Sequence, residues 1–241
     1  MRILITNDDG IESAVLPRFI EWAKKYGDVT AVVPKYEQSG KSQAIDFRHK
    51  SEIKKVDLVE GCEVYSMDSS PADCVRFATV GLKRQYDMVF SGINRGFNLG
   101  EDIAYSGTVG ATFEASRLGI RAVAFSTDVT TFEYALKEID KAYNFIMDNN
   151  LFEISGVYNV NFPTADSRGI CITRQGGMFY SDDFVHIGND IYIQVGEPIK
   201  YTVDDTTVDI HAIVNGYISI TPLTAERTDL VAYNKLKELR K

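Results

Sequence analysis

The chain has little of what most recognisable sites are built from: one tryptophan, three histidines, three cysteines and six prolines in 241 residues. Cys62, Cys74 and Cys171 are odd in number, far apart and without a C-x-x-C pair. They fit neither a disulfide framework nor a thiolate zinc site, and a reducing compartment suits them. His49, His186 and His211 fall in different segments with no His-x-x-x-His or Ser-His-Asp arrangement. They are expected to satisfy local hydrogen bonds rather than to act as a catalytic base. Positive charge is also in short supply. The 26 lysines and arginines stand against 34 aspartates and glutamates, for a net charge of -8, and no basic block appears. A nucleic-acid duplex is therefore not an expected partner. Nor is there a long apolar run: the opening MRILITNDDG reaches carboxylates after a few residues. That is too short for a signal-peptide core or a membrane span of roughly 20 residues, so no membrane is expected and a cytoplasmic placement is. What is present is an apolar share of 44%, normal for a packed globular fold and too high for disorder.

Strand and helix signals alternate through the first part of the chain. Arg2 to Thr6 reads as a buried strand that ends at Asn7-Asp8-Asp9-Gly10. Leu16, Phe19, Ile20 and Ala23 recur at helical spacing, Pro17 fits only the first turn, and Gly27 is the expected stop. Thr30 to Val33 reads as a second buried strand stopped by Pro34. Residues 45–66 look strand-like but irregular. Ser70 and Pro71 read as the cap and first residue of a helix, with Cys74 a small buried side chain and Trp22 a core residue of the earlier helix. Further strands are expected at Asp87–Gly92, Arg121–Ser126 and Val157–Val160, with helices at Gly107–Leu118 and Phe132–Asn149. This grammar predicts an α/β, doubly wound, Rossmann-like parallel sheet over residues 1–175. Beyond about residue 175 the segments Phe184–Val195, Val208–Val214 and Tyr217–Thr221 look like strands, with turn signals at Gly188-Asn189-Asp190, Asp204-Asp205 and Asn215-Gly216. A small C-terminal β-rich extension over 176–241 is expected, too thin for its own core and suited to oligomerisation.

In open parallel sheets ligands bind beyond the carboxyl ends of the strands, and three such ends carry unusual polar sequences. In Asn7-Asp8-Asp9-Gly10 two carboxylates in a turn can face one hard cation such as magnesium, manganese or calcium; equally, one can cap a helix while the other is solvated. Gln38-Ser39-Gly40-Lys41-Ser42 lacks the phosphate-loop pattern and reads as a surface turn or as hydroxyls serving an oxyanion. The third segment runs from Ser91-Gly92-Ile93-Asn94-Arg95-Gly96-Phe97-Asn98 to Tyr105-Ser106-Gly107-Thr108. Its glycines at 92, 96 and 100 mark a long loop, and Ser106-Gly107-Thr108 opens a helix. There the free N–H groups and the dipole make a phosphate cradle, unless the hydroxyls serve only as caps. Asp73 near its helix start either favours the dipole or braces the site.

Together these segments resemble the SurE family of stationary-phase survival nucleotidases. The likeness rests on Leu4–Gly10, Ser39-Gly40, Pro71-Ala72-Asp73-Cys74-Val75, Ser91–Gly100 and Tyr105–Gly110. It continues through Asn159–Pro163, Thr173–Gly176 and Gly216–Leu223. The resemblance implies a metal-dependent phosphomonoesterase that hydrolyses nucleoside 5′- and 3′-monophosphates or other small phosphomonoesters. Position by position it places one divalent metal ion, Mg2+ or Mn2+, on Asp8, Asp9, Ser39 and Asn94. It makes Asp8 and Asp9 the catalytic pair and puts substrate binding on Ser106, Gly107 and Thr108 with Asn98 nearby. A homodimer or homotetramer is the expected assembly. Two departures stand out: Glu12-Ser13-Ala14 replaces the family's Ala-Pro-Gly step, and the 175–208 region is short and lacks its tryptophan pattern. The competing expectation is a non-catalytic nucleotide-sensing module that uses the same cleft only to bind.

Overall fold

A computed structural model describes residues 1–48, 50–202 and 205–239 of the chain. Strand β1 (Arg2–Thr6) lies inside the main sheet, parallel to β2 (Asp28–Pro34) on one side and to β5 (Met88–Arg95) on the other. Beyond β2 come β4 (Glu63–Met67), parallel, and β3 (Ile53–Val56), antiparallel at the edge. Beyond β5 come β6 (Arg121–Thr127), β7 (Val157–Asn161), β11 (Ile218–Leu223) and β8 (Ile170–Ile172). Because the chain winds outward in opposite directions from β1 and β5, the boundary between them is the topological switch point, where side-chain loops part to leave a crevice.

Strand alternation explains the two covered faces. Ile3 and Ile5 of β1 point to a core shared with helices α1 (Leu16–Ala23) and α4 (Glu133–Asp148), while Leu4 points to one shared with α2 (Pro71–Arg76) and α3 (Gly107–Arg117). The first core is aromatic: Trp22 packs 5.2 Å from Phe90 and Phe19 5.8 Å from Phe125, ring centre to ring centre. The indole N–H of Trp22 still finds a partner, donating to Asp140 Oδ1 at 2.7 Å. On the second face Ala111 and Ala115 let α3 lie close to the sheet. The doubly wound Rossmann-like sheet is thus present, with antiparallel neighbours at β3 and β11.

Several local expectations need correction. Helix α1 ends at Ala23, and Gly27 serves instead where the chain passes Met1, since a Cβ there would fall 1.9 Å from the Met1 carbonyl oxygen. Strand β5 does not stop at Gly92. It re-pairs through Asn94 and Arg95 with Ser126 and Thr127 after a register shift, and Gly92 at φ 133° permits the close pass of Phe125. The segment expected as a strand at Val208–Val214 is helix α5 (Asp209–Val214). Its alternating Val208, Ile210 and Ala212 mimic strand period, but tertiary bonds to Asp209 decide the matter. Asn215-Gly216 accordingly ends a helix rather than turning a hairpin, with Gly216 at φ 79°. Strand β11, also from the C-terminal segment, hydrogen-bonds within the main sheet, antiparallel to β7 and parallel to β8. Among the described residues only β9 (Asp183–Gly188) and β10 (Ile191–Val195) form a separate hairpin, turning at Asn189 and Asp190, both with positive φ as a two-residue primed turn requires. His49 and Asp204 lie outside the described residues. Among the described residues no helix is long and apolar enough to cross a membrane.

Candidate active site

The site forms where β1 ends. Asn7 folds the turn over itself: its amide donates to the Gly10 carbonyl at 3.0 Å and its Oδ1 accepts the Gly10 N–H at 3.1 Å. Gly10, at φ 86°, lets the turn pass Tyr36, where a Cβ would lie 3.0 Å from the backbone. Asp8 then points to the start of α3, where it accepts the Thr108 N–H at 3.2 Å and the Thr108 hydroxyl. Gly107 makes this fit, since a Cβ there would sit 3.0 Å from Asp8 Cβ. Asp9 turns the other way and accepts the Arg95 N–H at 3.2 Å, which ties it to the residue beside Asn94. The loop after β2 closes the third side: Gln38 N–H donates to the Asp8 carbonyl at 2.7 Å, next to Ser39.

The structure therefore brings Asp8, Asp9, Ser39, Asn94, Gly107 and Thr108 to one end of the sheet, at the β1/β5 crevice. Ser39 is exposed and its hydroxyl donates to Glu37 at 2.7 Å, while the Asn94 amide nitrogen donates to the Gly96 carbonyl at 2.8 Å, leaving its oxygen to face elsewhere. Ser106 is the helix cap, accepting the Val109 N–H at 3.1 Å. Thr108 is likewise committed to Asp8, so of this short segment Gly107 retains a first-turn N–H of the kind no intrahelical acceptor satisfies. Asn98 belongs to a buried polar network. Its amide donates to Ser126 at 2.6 Å, and its backbone is held by Asn159 and Asn161. Of the histidines, His186 lies on β9 against Tyr192 and His211 on α5 against Tyr201. Asp73 does brace a neighbour, accepting the Asp46 N–H at 2.8 Å.

The electrostatics are one-sided. Burial pushes the Asp8 carboxyl above its ordinary range, against the pull of the Thr108 hydrogen bonds. Burial and then the Asp8 charge push Asp9 up to about 6. Asp9 lines a cleft of about 370 Å³ with Glu12, Glu37, Arg95 and Phe132. Such an acidic cleft repels a phosphate dianion until a cation offsets the charge. The donors are all oxygens: two carboxylates, a hydroxyl and an amide, a set that suits a hard divalent ion. Among the described residues no cluster of three or more His, Cys, Asp or Glu could hold a metal, so a neutral Ser and Asn would have to complete this one.

Four contributors escaped the motif reading. Glu37 and Arg95 adjoin singled-out residues, and the backbone N–H of Arg95 acts without any side-chain signal. Glu114 is a lone acid, 1% exposed, within the small-residue helix α3. Asp209 is fully buried, accepting the N–H groups of Gly100 and Gly176, each at 2.9 Å, and so fastens the loop after β5 to α5. A carboxylate isolated in an apolar segment was the available sign for both acids.

The family model described as Survival protein SurE matches residues 3–182. A 5′-nucleotidase SurE from Pseudothermotoga lettingae is 35% identical, the match covering 99% of this chain and 95% of the relative. A second, from Hyphomonas neptunium, is 37% identical over 99% and 98%. The crystal structure of the SurE protein from Aquifex aeolicus matches the whole of both chains with a TM-score of 0.84 at 31% identity. Its motifs, its fold and its full-length relatives agree, and the chain belongs to the SurE family.

Proposed function

We propose that the chain is a divalent-metal-dependent phosphomonoesterase that hydrolyses nucleoside 5′- and 3′-monophosphates to nucleoside and phosphate. The observation that carries this reading is the pair of buried Asp8 and half-buried Asp9 at a strand-end crevice, facing the amino end of α3 and an acidic cleft respectively. The relatives named 5′-nucleotidase SurE supply the substrate class. Asp8, Asp9, Ser39 and Asn94 would hold Mg2+ or Mn2+. When bound, such an ion neutralises charge on a phosphoryl oxygen and lowers the pKa of a water.

The chain's own groups do the rest. Thr108 fixes the Asp8 carboxylate through two hydrogen bonds, so it needs no reorientation during reaction. Arg95 does the same for Asp9 with one. Asp9, held by the Arg95 N–H, can also orient a water for attack. The Gly107 N–H, at the positive end of α3, faces the anion with the help of the helix dipole. Asn98 supports from behind, anchoring the loop between β5 and α3. Phosphate monoester hydrolysis is among the slowest uncatalysed reactions, so electrostatic stabilisation has the largest share to supply.

The assembly we propose is a homodimer or homotetramer in the cytoplasm. Phe184, Ile187 and Tyr192 of the hairpin are each about 60% exposed, and helix α6 (Leu230–Leu236) buries nothing. Such surfaces suit a second copy.

Phosphate release from a panel of 5′- and 3′-nucleoside monophosphates, with and without chelator, tests the activity. Turnover that chelator abolishes and added Mg2+ or Mn2+ restores is expected. Full turnover after stripping would contradict the metal's role, and binding without turnover would favour a sensing module.

A further inference from the structure

The loop that carries Ser39 has no regular structure, yet it is tied down at four points beyond that residue. Ser42 N–H donates to the Tyr105 carbonyl at 2.8 Å, and Ala44 O accepts the Ser70 hydroxyl at 2.5 Å. Asp46 N–H donates to Asp73 at 2.8 Å. The fourth tie is made by a side chain of the loop itself: Gln43 Nε2 donates to Glu114 Oε2 at 3.0 Å. Glu114 belongs to α3, and its other oxygen takes Arg76 of α2 at 2.9 Å, with Arg117 at 3.3 Å from the first. A buried carboxylate matched by two guanidiniums is rigid, because any displacement exposes unpaired charge to a low dielectric. The loop needs such a brace. Ser42 holds a left-handed backbone at φ 53°, a conformation non-glycine residues keep only when their surroundings enforce it. Gly110, one turn before Glu114, lets Ser42 approach so closely that a Cβ would fall 2.2 Å from its carbonyl oxygen.

We infer that Glu114 is a positioning residue: through Gln43 it locks the loop that carries Ser39 against α3, holding that backbone in place before a cation arrives. The partners of Glu114 are Gln43, Arg76 and Arg117, none of them a proposed metal ligand. The inference rests on the proposed role of Ser39, and it assigns the cost of ordering the loop to folding rather than to binding. Replacing Glu114 itself would strand two arginines and risk the fold, so Gln43, half-buried at the surface, is the position to change.

Binding of Mn2+ alone, followed by electron paramagnetic resonance, tests this on the full chain. Gln43→Met keeps the side chain's length and loses the donor. It should weaken Mn2+ roughly tenfold, the share of one hydrogen bond to a charged group. Its melting temperature should stay within about 3 °C. Amide exchange at Ser42 should rise in the metal-free protein.

Two charged variants separate the brace from a simple field effect. Gln43→Lys can still donate to Glu114 and should retain affinity, although a nearby positive charge would itself repel the ion. Gln43→Glu faces Glu114 with a like charge and should weaken binding, although added negative charge would itself attract the ion. Unchanged Mn2+ affinity and Ser42 exchange in Gln43→Met, or affinities that follow added charge alone, would overturn the inference. If the unaltered protein fails to bind Mn2+, the proposed function falls and this inference with it; if it binds while Gln43→Met binds equally, only the inference falls.

Discussion

The carboxylate of Asp8, at the end of β1, accepts both the backbone N–H and the hydroxyl of Thr108, one hundred residues further along the chain at the start of α3. Two segments that share no sequence motif are thereby joined into one charged surface. The helix dipole favours a negative Asp8, while burial disfavours it, and burial is the larger influence. The balance leaves an acid pair that a divalent ion would relieve.

Thr108→Val tests that join with little change of shape. The hydroxyl donor is lost while the backbone N–H remains, so turnover of a nucleoside monophosphate should fall about 10- to 100-fold, the worth of one charge-assisted bond in a preorganised site. Far-ultraviolet dichroism should be unchanged. A rate within twofold of the parent's would place Asp8 outside the reacting arrangement.

For Asp9→Asn the two consequences have opposite signs. Hydrolysis should drop by about 10²–10³ or more, as when an electrostatic group is removed from a reacting centre. The metal-free protein should instead become more stable at pH 7, because a desolvated charge beside Asp8 has been removed. Thermal denaturation with chelator present checks the second effect; lowered stability there would show that Asp9 is well solvated.

The same carboxyl sets a pH dependence. Its folded-state pKa of about 6 lies above the ordinary aspartate value of 3.8, so the folded chain binds a proton more tightly than the unfolded one. That contribution to stability is fully present below about pH 4 and is lost as pH rises towards and through 6. Asp8 shifts in the same direction. The difference in melting temperature between the parent protein and Asp9→Asn, both metal-free, should therefore widen from pH 4 to pH 7 at the parent's expense. A difference constant over that range would contradict the assignment.

Asp209→Ala should destabilise the chain by about 2–4 kcal/mol, since the Gly100 and Gly176 N–H groups lose a buried acceptor at once. Asp209→Asn keeps one acceptor oxygen and should lose less. Urea unfolding of the pair measures both, and equal losses would mean that cavity formation, not hydrogen bonding, dominates.

How far these features could be read in advance depended on how local their causes are. The buried strands before Asn7 and after Asp87 and the Ser70 cap are dictated within a few residues, and the resemblance pointed to Asp8, Asp9, Ser39 and Asn94. Helix α5 was not legible, because Val208, Ile210 and Ala212 alternate like a strand and the deciding bonds come from Gly100 and Gly176, far away in sequence. Glu114 was hidden for the same reason: its partners Gln43 and Arg76 lie 71 and 38 residues away. The Asn98 network shows a third kind of limit. An asparagine in a glycine-rich loop gives no sign of its partners, and only the fold shows that Ser126 takes its amide while Asn159 and Asn161 hold its backbone.

The most direct measurement is anomalous scattering from a crystal of the protein equilibrated with Mn2+. A single peak should appear at the β1/β5 crevice, about 2.0–2.2 Å from oxygens of Asp8, Asp9, Ser39 and Asn94. A peak elsewhere, or none at these four residues with Mn2+ in excess, would contradict a metal-assembled site at the end of β1.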